Sequence, residues 1–122
     1  MHDGIKFWWK SPPPTLQLVY EGIAVAELKK FKEKDQQIYQ FEYLPAFREQ
    51  RLSPLPGLPD TGQPHHSNKL WAYFAERIPD TRRPEIEKLV RTLKVNRYDD
   101  LQMLAELGSQ SITDPFQLRR IA

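Results

Sequence analysis

Proline is the residue that most constrains how this chain can fold. The sequence has 11 prolines in 122 residues, and proline breaks the interior of a helix or a central strand because it lacks a backbone donor. Segments 11–14 (SPPP) and 53–59 (SPLPGLP) are therefore predicted to be irregular. Pro79 should end a helix, and Pro84 suits the first turn of the next helix.

The first fourteen residues are predicted to form an arm outside the main fold. Three consecutive prolines at 12–14 make a stiff, extended spacer, and the aromatic cluster Phe7-Trp8-Trp9 precedes it. Two interpretations of this cluster stay open. The rings fold back onto an apolar patch of the same chain, or they dock on a partner, as exposed aromatic clusters often do.

Residues 15–43 have the pattern of antiparallel strands. Segments 15–20 and 23–28 flank a turn at Glu21-Gly22, and a charged hairpin loop is predicted over 29–37. Residues 38–43 alternate strictly, with Tyr39, Phe41 and Tyr43 on one face, which predicts a buried side. The three strands together indicate a meander. Residues 44–51 could hold one short helical turn around Pro45-Ala46-Phe47, and 53–66 is predicted to be irregular.

The second half has helical periodicity. One helix is predicted over 68–78 and a second from Pro84, with a buried stripe of Ile86, Leu89, Val90 and Leu93. A third runs from Asp99, a suitable N-cap, to Gly108. Residues 116–121 alternate and could add an edge strand. The expected fold class is α+β: a short antiparallel β-meander followed by about three helices, with a possible C-terminal edge strand.

Composition and charge narrow the function classes. The net charge is +2, with basic and acidic residues mixed along the chain, whereas reliance on phosphate contacts usually requires a larger basic surplus on one face. The chain has no cysteine, so disulfides and thiolate metal sites are excluded. Mean hydropathy is −0.67, and no apolar run has the length of a membrane span. We expect a soluble, cytoplasmic protein.

A search for catalytic sets finds none with useful spacing. The glycines are scattered, so there is no phosphate-binding loop, and kinase signature motifs are missing. His65-His66 is more typical of an exposed loop than of a metal site, and a turn role explains Ser111 and Thr113. We therefore expect no enzyme activity, no cofactor and no metal.

Segments of the second half resemble a known family. Residues 71–80 (WAYFAERIPD), 82–84 (RRP) and 99–108 (DDLQMLAELG) look like the N-terminal domain of HipA-type toxin kinases, in which a short antiparallel sheet precedes an aromatic pair and a Pro-acidic step. The resemblance covers residues 15–122 as one domain. The family's usual Leu-Leu-Pro-Glu-Gly is here Arg77-Ile78-Pro79-Asp80-Thr81, so this turn departs from the family's pattern.

The resemblance implies a partner and a role. A domain of this family without its kinase is similar to the HipS-like antitoxin of tripartite HipBST-type toxin–antitoxin systems. It would bind and inhibit a HipT/HipA-like serine/threonine kinase, alongside a HipB-like DNA-binding protein. The alternative is an accessory or scaffolding subunit that contacts nucleic acid through Arg82, Arg83, Arg119 and Arg120, although direct contact is not the favoured expectation. Activation in place of inhibition also stays open.

Five residues are candidates for partner contact. Trp71 either closes the rim of the core or anchors in the kinase. Arg77, Arg82 and Arg83 bracket Pro79-Asp80 on a loop expected to be exposed. They are either solvated surface or contacts to an acidic or phosphorylated segment. The predicted partner-binding residues are Trp71, Arg77, Asp80, Arg82 and Arg83.

Overall fold

The computed structural model describes residues 14–111 and 113–121. These residues form an antiparallel sheet of five strands in the order β4-β3-β2-β1-β5. The strands are β1 (Leu16–Tyr20), β2 (Ile23–Glu33), β3 (Gln36–Tyr43), β4 (His65–Ser67) and β5 (Phe116–Arg120). The helices are α1 (Pro45–Glu49), α2 (Ala72–Ala75), α3 (Pro84–Thr92) and α4 (Asp100–Leu107). The predicted α+β class, the meander and the C-terminal edge strand are confirmed.

The arm predicted over 1–14 lies almost wholly outside the described residues, and so does its Phe7-Trp8-Trp9 cluster. Pro14 is its one described residue, and Pro14 is fully buried. The described fold therefore begins at the last proline of the spacer.

Two tight turns join the strands of the meander. Glu21 and Gly22 both have positive φ, and so do Lys34 and Asp35, which is the signature of two-residue type I′ turns whose twist matches that of the strands. The predicted turn at Glu21-Gly22 is confirmed. The predicted loop over 29–37 is wrong, because β2 continues to Glu33 and β3 starts at Gln36.

Lys30 shows why a charged segment can be a strand here. Its side chain is only 7% exposed, and its Nζ lies 2.8 Å from Asp100 Oδ1 and 3.4 Å from Asp99 Oδ1. Tyr39 also donates a hydrogen bond to Asp100. The partners of this lysine come from the start of α4, so local composition did not reveal them.

The core lies on one face of the sheet. Phe41 is at its centre, with the rings of Tyr43 and Phe74 at 4.8 Å and 5.5 Å between centroids. Burying such aromatic side chains supplies most of the driving force of a small core. Tyr39, Phe41 and Tyr43 are buried as predicted. The other large buried side chains include Leu16, Leu18, Leu28, Phe47, Leu58, Leu101, Leu104, Phe116 and Leu118.

The proline-rich segment 53–59 is irregular, as predicted, yet it is anchored. The hydroxyl of Tyr43 donates to the carbonyl of Leu58 at 2.6 Å and accepts from the N–H of Leu55 at 2.9 Å. Both leucines are buried. One buried phenol thus satisfies two backbone groups that no secondary structure pairs.

The predicted helix over 68–78 is wrong in extent, since α2 is a single turn. The preceding residues His65–Ser67 pair with β3, so the predicted loop to His66 ends in a strand. The start of α3 at Pro84 and the end of α4 at Gly108 are confirmed. Asp99 caps α4 as predicted, because its Oδ1 accepts from the N–H groups of residues 101 and 102.

The buried stripe predicted for α3 is only partly correct. Val90 is buried with Val95 and Met103, and Ile86 packs against this small cluster. Leu89 and Leu93 are instead 43% and 48% exposed. The periodicity marked an apolar face, but only one side of that face meets other parts of the described fold.

Candidate interaction surface

Trp71 lies at the N-cap of α2, between the sheet and the helices. Its ring makes an edge contact with Phe41 at 6.4 Å between centroids, and the side chain packs on the main core while staying partly exposed. Its carbonyl accepts from the N–H groups of Phe74 and Ala75. The residue therefore closes the rim of the core and also stays partly accessible to solvent.

Arg77 is not on an exposed loop, so that expectation is wrong. Its side chain is 6% exposed, and Nη2 lies 2.8 Å from Asp114 Oδ1. The same nitrogen donates to the carbonyl of Phe116 at 2.9 Å, and Nη1 donates to the carbonyls of Gly108 and Ser109 at 3.3 and 3.4 Å. A planar guanidinium with five donors suits such a cluster of acceptors. Arg77 holds the fold together around the start of β5.

Tyr73 completes this network. Its hydroxyl donates to Asp114 Oδ2 at 2.9 Å, and the guanidinium of Arg77 lies 5.4 Å from the centre of its ring. Burial, followed by the hydrogen bond to Asp114, raises the pKa of Tyr73 to about 12. The phenol is therefore held in its neutral form as a donor.

Asp80 and Arg82 form an exposed, self-contained pair. The carboxylate accepts from the backbone N–H of Arg82 at 2.9 Å and from Nε and Nη2 of the same residue at 2.9 to 3.1 Å. These bonds lower the pKa of Asp80 to about 2. Arg83 is likewise exposed and pairs with Glu85 at 2.9 Å. Much of the charge in this turn is thus balanced within the turn.

The five predicted contact residues do not form one patch. Asp80, Arg82 and Arg83 share the exposed turn before α3, and Trp71 lies at the other end of the α2 segment, on the sheet side. Arg77 lies between them but is turned inward. Trp71 and the turn are the predicted residues with accessible surface, and Arg77 positions the backbone that carries them.

A second surface lies where α3 passes into α4. We call it the α3–α4 corner, formed by Val90, Arg91, Lys94, Val95, Arg97 and Tyr98. The two valines are only 4% and 8% exposed and form a small apolar floor, and three cations surround it. Tyr98 is 89% exposed. Sequence reasoning missed this surface, although one signal was available: Tyr98 is an aromatic residue directly before a helix cap and outside every apolar stripe.

The described residues show no metal-binding cluster. Within 14–111 and 113–121, no group of three or more His, Asp or Glu side chains is placed to hold an ion. His65 bonds to the carbonyl of Asp60 at 2.8 Å, and His66 to the side chain of Gln40 at 3.0 Å. In the same part of the chain, no helix is both long and apolar enough to cross a bilayer.

The described residues form an α+β domain with a five-stranded antiparallel sheet. A family model described as the HipA N-terminal domain matches residues 16–112, from the first residue of β1 to beyond the end of α4. The chain belongs to this family, which suggests a HipA-related toxin–antitoxin context. No curated protein matches the chain at a significant level.

Proposed function

We propose that this protein is an antitoxin, a regulatory subunit that binds a HipA-type serine/threonine protein kinase and inhibits it. The family match over residues 16–112 carries the proposal, because it covers all four helices and every strand of the sheet except β5. In this scheme the protein is a HipS-like subunit separate from its HipT-like kinase, and a HipB-like DNA-binding protein belongs to the same complex. All three act in the cytoplasm.

Inhibition of this kind needs only binding. A subunit with higher affinity for an inactive kinase conformation shifts the population toward that conformation, by no more than the ratio of its two affinities. A hundredfold ratio corresponds to about 2.7 kcal/mol. The proposed subunit supplies no catalytic residue, cofactor or metal of its own.

Trp71 is the strongest of the predicted contact residues in this proposal. Its indole already packs on Phe41 and the core, so little side-chain entropy is lost when its exposed part is covered. Tryptophan is also enriched among residues that dominate binding energy. The turn with Asp80, Arg82 and Arg83 is exposed but internally paired, which favours a peripheral contact.

The alternative, an accessory subunit that contacts nucleic acid, has less support. Arg82 and Arg83 are paired with Asp80 and Glu85, and the guanidinium of Arg119 bonds to the side chain of Gln17 at 2.9 Å. These arginines belong to different elements, whereas phosphate binding needs a continuous basic stripe. Steeply salt-dependent DNA binding by the isolated protein would support this alternative.

The proposal is tested by co-expression with each HipA-type kinase of the same genome. We expect a stable complex on co-purification and reduced autophosphorylation of the kinase in that complex. Failure of every such kinase to form a complex would contradict the proposed partner. A complex in which kinase activity is unchanged or increased would contradict inhibition alone and leave the partner intact.

A further inference from the structure

The α3–α4 corner combines a rigid backbone with an uncovered aromatic ring. The N–H of Tyr98 donates to Asn96 Oδ1 at 2.9 Å, and the N–H of Asp99 donates to the carbonyl of Asn96 at 3.0 Å. The backbone N–H of Asn96 in turn donates to the side chain of Gln102. This bonded turn holds the ring of Tyr98 in solvent at 89% exposure. A large ring on a fixed backbone binds at low entropic cost.

Lys94 occupies a backbone position that favours glycine. Its φ is +56°, its N–H donates to the carbonyl of Arg91, and the N–H of Val95 donates to the carbonyl of Val90. These two bonds define a Schellman motif with Lys94 at C′, where glycine avoids the cost of a left-handed conformation. The helix ends with this geometry although the residue is a lysine, which keeps a cation beside the apolar floor.

Charge at the corner has one sign. Arg91, Lys94 and Arg97 line it, and no carboxylate does. Arg91 has an exposed, loose pair with Glu87 at 3.5 Å. Within the described part of the chain, no salt bridge involves Lys94 or Arg97. Lys94 and Arg97 are therefore available to pair with negatively charged groups of a partner.

We propose that the α3–α4 corner is a docking surface for an acidic segment of a partner protein. An apolar side chain of that segment packs mainly on the exposed ring of Tyr98 and touches Val90 and Val95 only at their small exposed parts, and its Asp or Glu carboxylates pair with Lys94 and Arg97. The proposal goes beyond the proposed function, since it does not require the partner to be a kinase.

A protein segment fits the corner better than nucleic acid does. The same helix exposes Leu89 and Leu93, one turn apart and hence on one side, and the floor is apolar. Duplex binding at physiological salt usually draws on more phosphate contacts than three cations provide. Exposed apolar surface with a charged margin is the usual composition of a protein–protein contact.

The probe is a synthetic peptide of about 14 residues with Glu and Leu at helical spacing, matched to a peptide in which Gln replaces every Glu. Binding to the full-length protein is followed through backbone amide NMR shifts. We expect the acidic peptide to shift the amide signals of residues 90–98, and we expect its binding to weaken with added salt. The Gln peptide should bind about tenfold less tightly.

Variants at the corner make the test specific. The affinity for the acidic peptide should fall by about fivefold or more in each of the variants Tyr98→Ala, Lys94→Gly and Arg97→Gln. The control Arg119→Gln on β5 should leave that affinity unchanged. Lys94→Gly removes the cation and relaxes the backbone, so a loss of binding with it cannot come from unfolding. The proposal is overturned if the shifts fall elsewhere, if both peptides bind alike, or if a DNA duplex of about 20 base pairs binds these amides more tightly at physiological salt.

The same variants separate this surface from the antitoxin proposal. If Tyr98→Ala abolishes peptide binding but leaves the kinase complex unaffected, the corner binds a different partner and the antitoxin proposal stands. If the acidic peptide fails to bind the wild-type protein, the docking proposal fails whatever the kinase does.

Discussion

Arg77 Nη2 lies 2.8 Å from Asp114 Oδ1, and the two residues are 37 positions apart in sequence. This pair connects the end of the α2 segment to the chain entering β5. It also lets one guanidinium serve the carbonyls of Gly108, Ser109 and Phe116. The accessible turn at residues 79–83 therefore leaves from a point fixed by a buried charge network.

Replacing Arg77 by Met should destabilise the fold by about 3 kcal/mol, because three carbonyls lose their guanidinium donor and the partly buried Asp114 carboxylate loses its opposite charge. Asp114→Asn, which keeps an acceptor, should cost less. Urea unfolding at neutral pH measures both free energies. A midpoint for Arg77→Met equal to that of the wild type would show that this network contributes nothing to stability.

Gly108→Ala should cost about 1 to 3 kcal/mol through overpacking. A Cβ at this position would lie 2.8 Å from the backbone carbonyl oxygen of Arg77, which cannot move away easily. Gly62→Ala is the matched control, since its Cβ would meet the far end of the Arg48 side chain at 2.9 Å. Thermal unfolding should separate the two, and equal melting temperatures would contradict the close approach.

Asp99→Ala should destabilise α4 more than Asp99→Asn by about 1 kcal/mol. Both substitutions remove the charge near Lys30, but only alanine also removes the side-chain oxygen that caps the helix. Comparing the two variants therefore isolates the cap from the ion pair. Chemical denaturation gives the difference, and identical stabilities would indicate that the cap bonds do not matter.

Stability should fall in alkali. Burial is the main cause of raised pKa values for Tyr39, Tyr43 and Tyr73, and that of Tyr73 reaches about 12. In the unfolded chain these phenols lose their protons near pH 10, so the unfolded state binds fewer protons above that pH. The stabilisation that comes from these raised pKa values is complete below about pH 10 and is lost as the pH rises toward 12.

Urea midpoints between about pH 8 and pH 11.5 test this alkaline loss. The slope above pH 10 should be shallower in Tyr73→Phe, which removes one of the three phenols. Stability that stays constant across the whole range would contradict the raised pKa values.

Trp71→Phe should separate the two roles of this residue. A phenyl ring keeps apolar contact with Phe41, so we expect a stability loss of only about 1 kcal/mol. If the exposed part of Trp71 contacts the kinase, the affinity of the complex should fall by about tenfold or more. Titration calorimetry of the complex measures this, with Lys32→Ala on β2 as a surface control. Unchanged affinity would assign Trp71 to the core alone.

Sequence patterns predicted those parts of the fold that depend on local order. The alternation over 38–43 identified β3, and the Asp99 and Gly108 signals located both ends of α4, because strand faces and helix caps involve neighbouring residues. The predictions that were wrong concern residues whose partners are distant in the sequence. Lys30 was placed in a loop and Arg77 on the surface, since their carboxylate partners lie 37 to 70 positions away.

The candidate surfaces were harder to predict than the fold. Helical periodicity marked Leu89 and Leu93 as apolar, but it cannot say whether such a face meets the chain's own core or a partner. The sequence likewise did not show whether Trp71 packs on the core or binds a partner, and its contact with Phe41 establishes the core packing alone. The His65-His66 pair gave no strand signal, because three residues at a sheet edge are too short for alternation to show.

The pairing of β1 with β5 has a mechanical consequence. Leu16 lies opposite Arg120, and the N–H of Ile121 donates to the carbonyl of Thr15 at 2.9 Å, so the start of β1 and the end of β5 lie side by side at one end of their ladder. A force applied between residues 15 and 121 would open this ladder one hydrogen bond at a time, like a zipper, and would never load all its bonds together. A tether held at those two points would peel β5 away first, with the four remaining strands still paired.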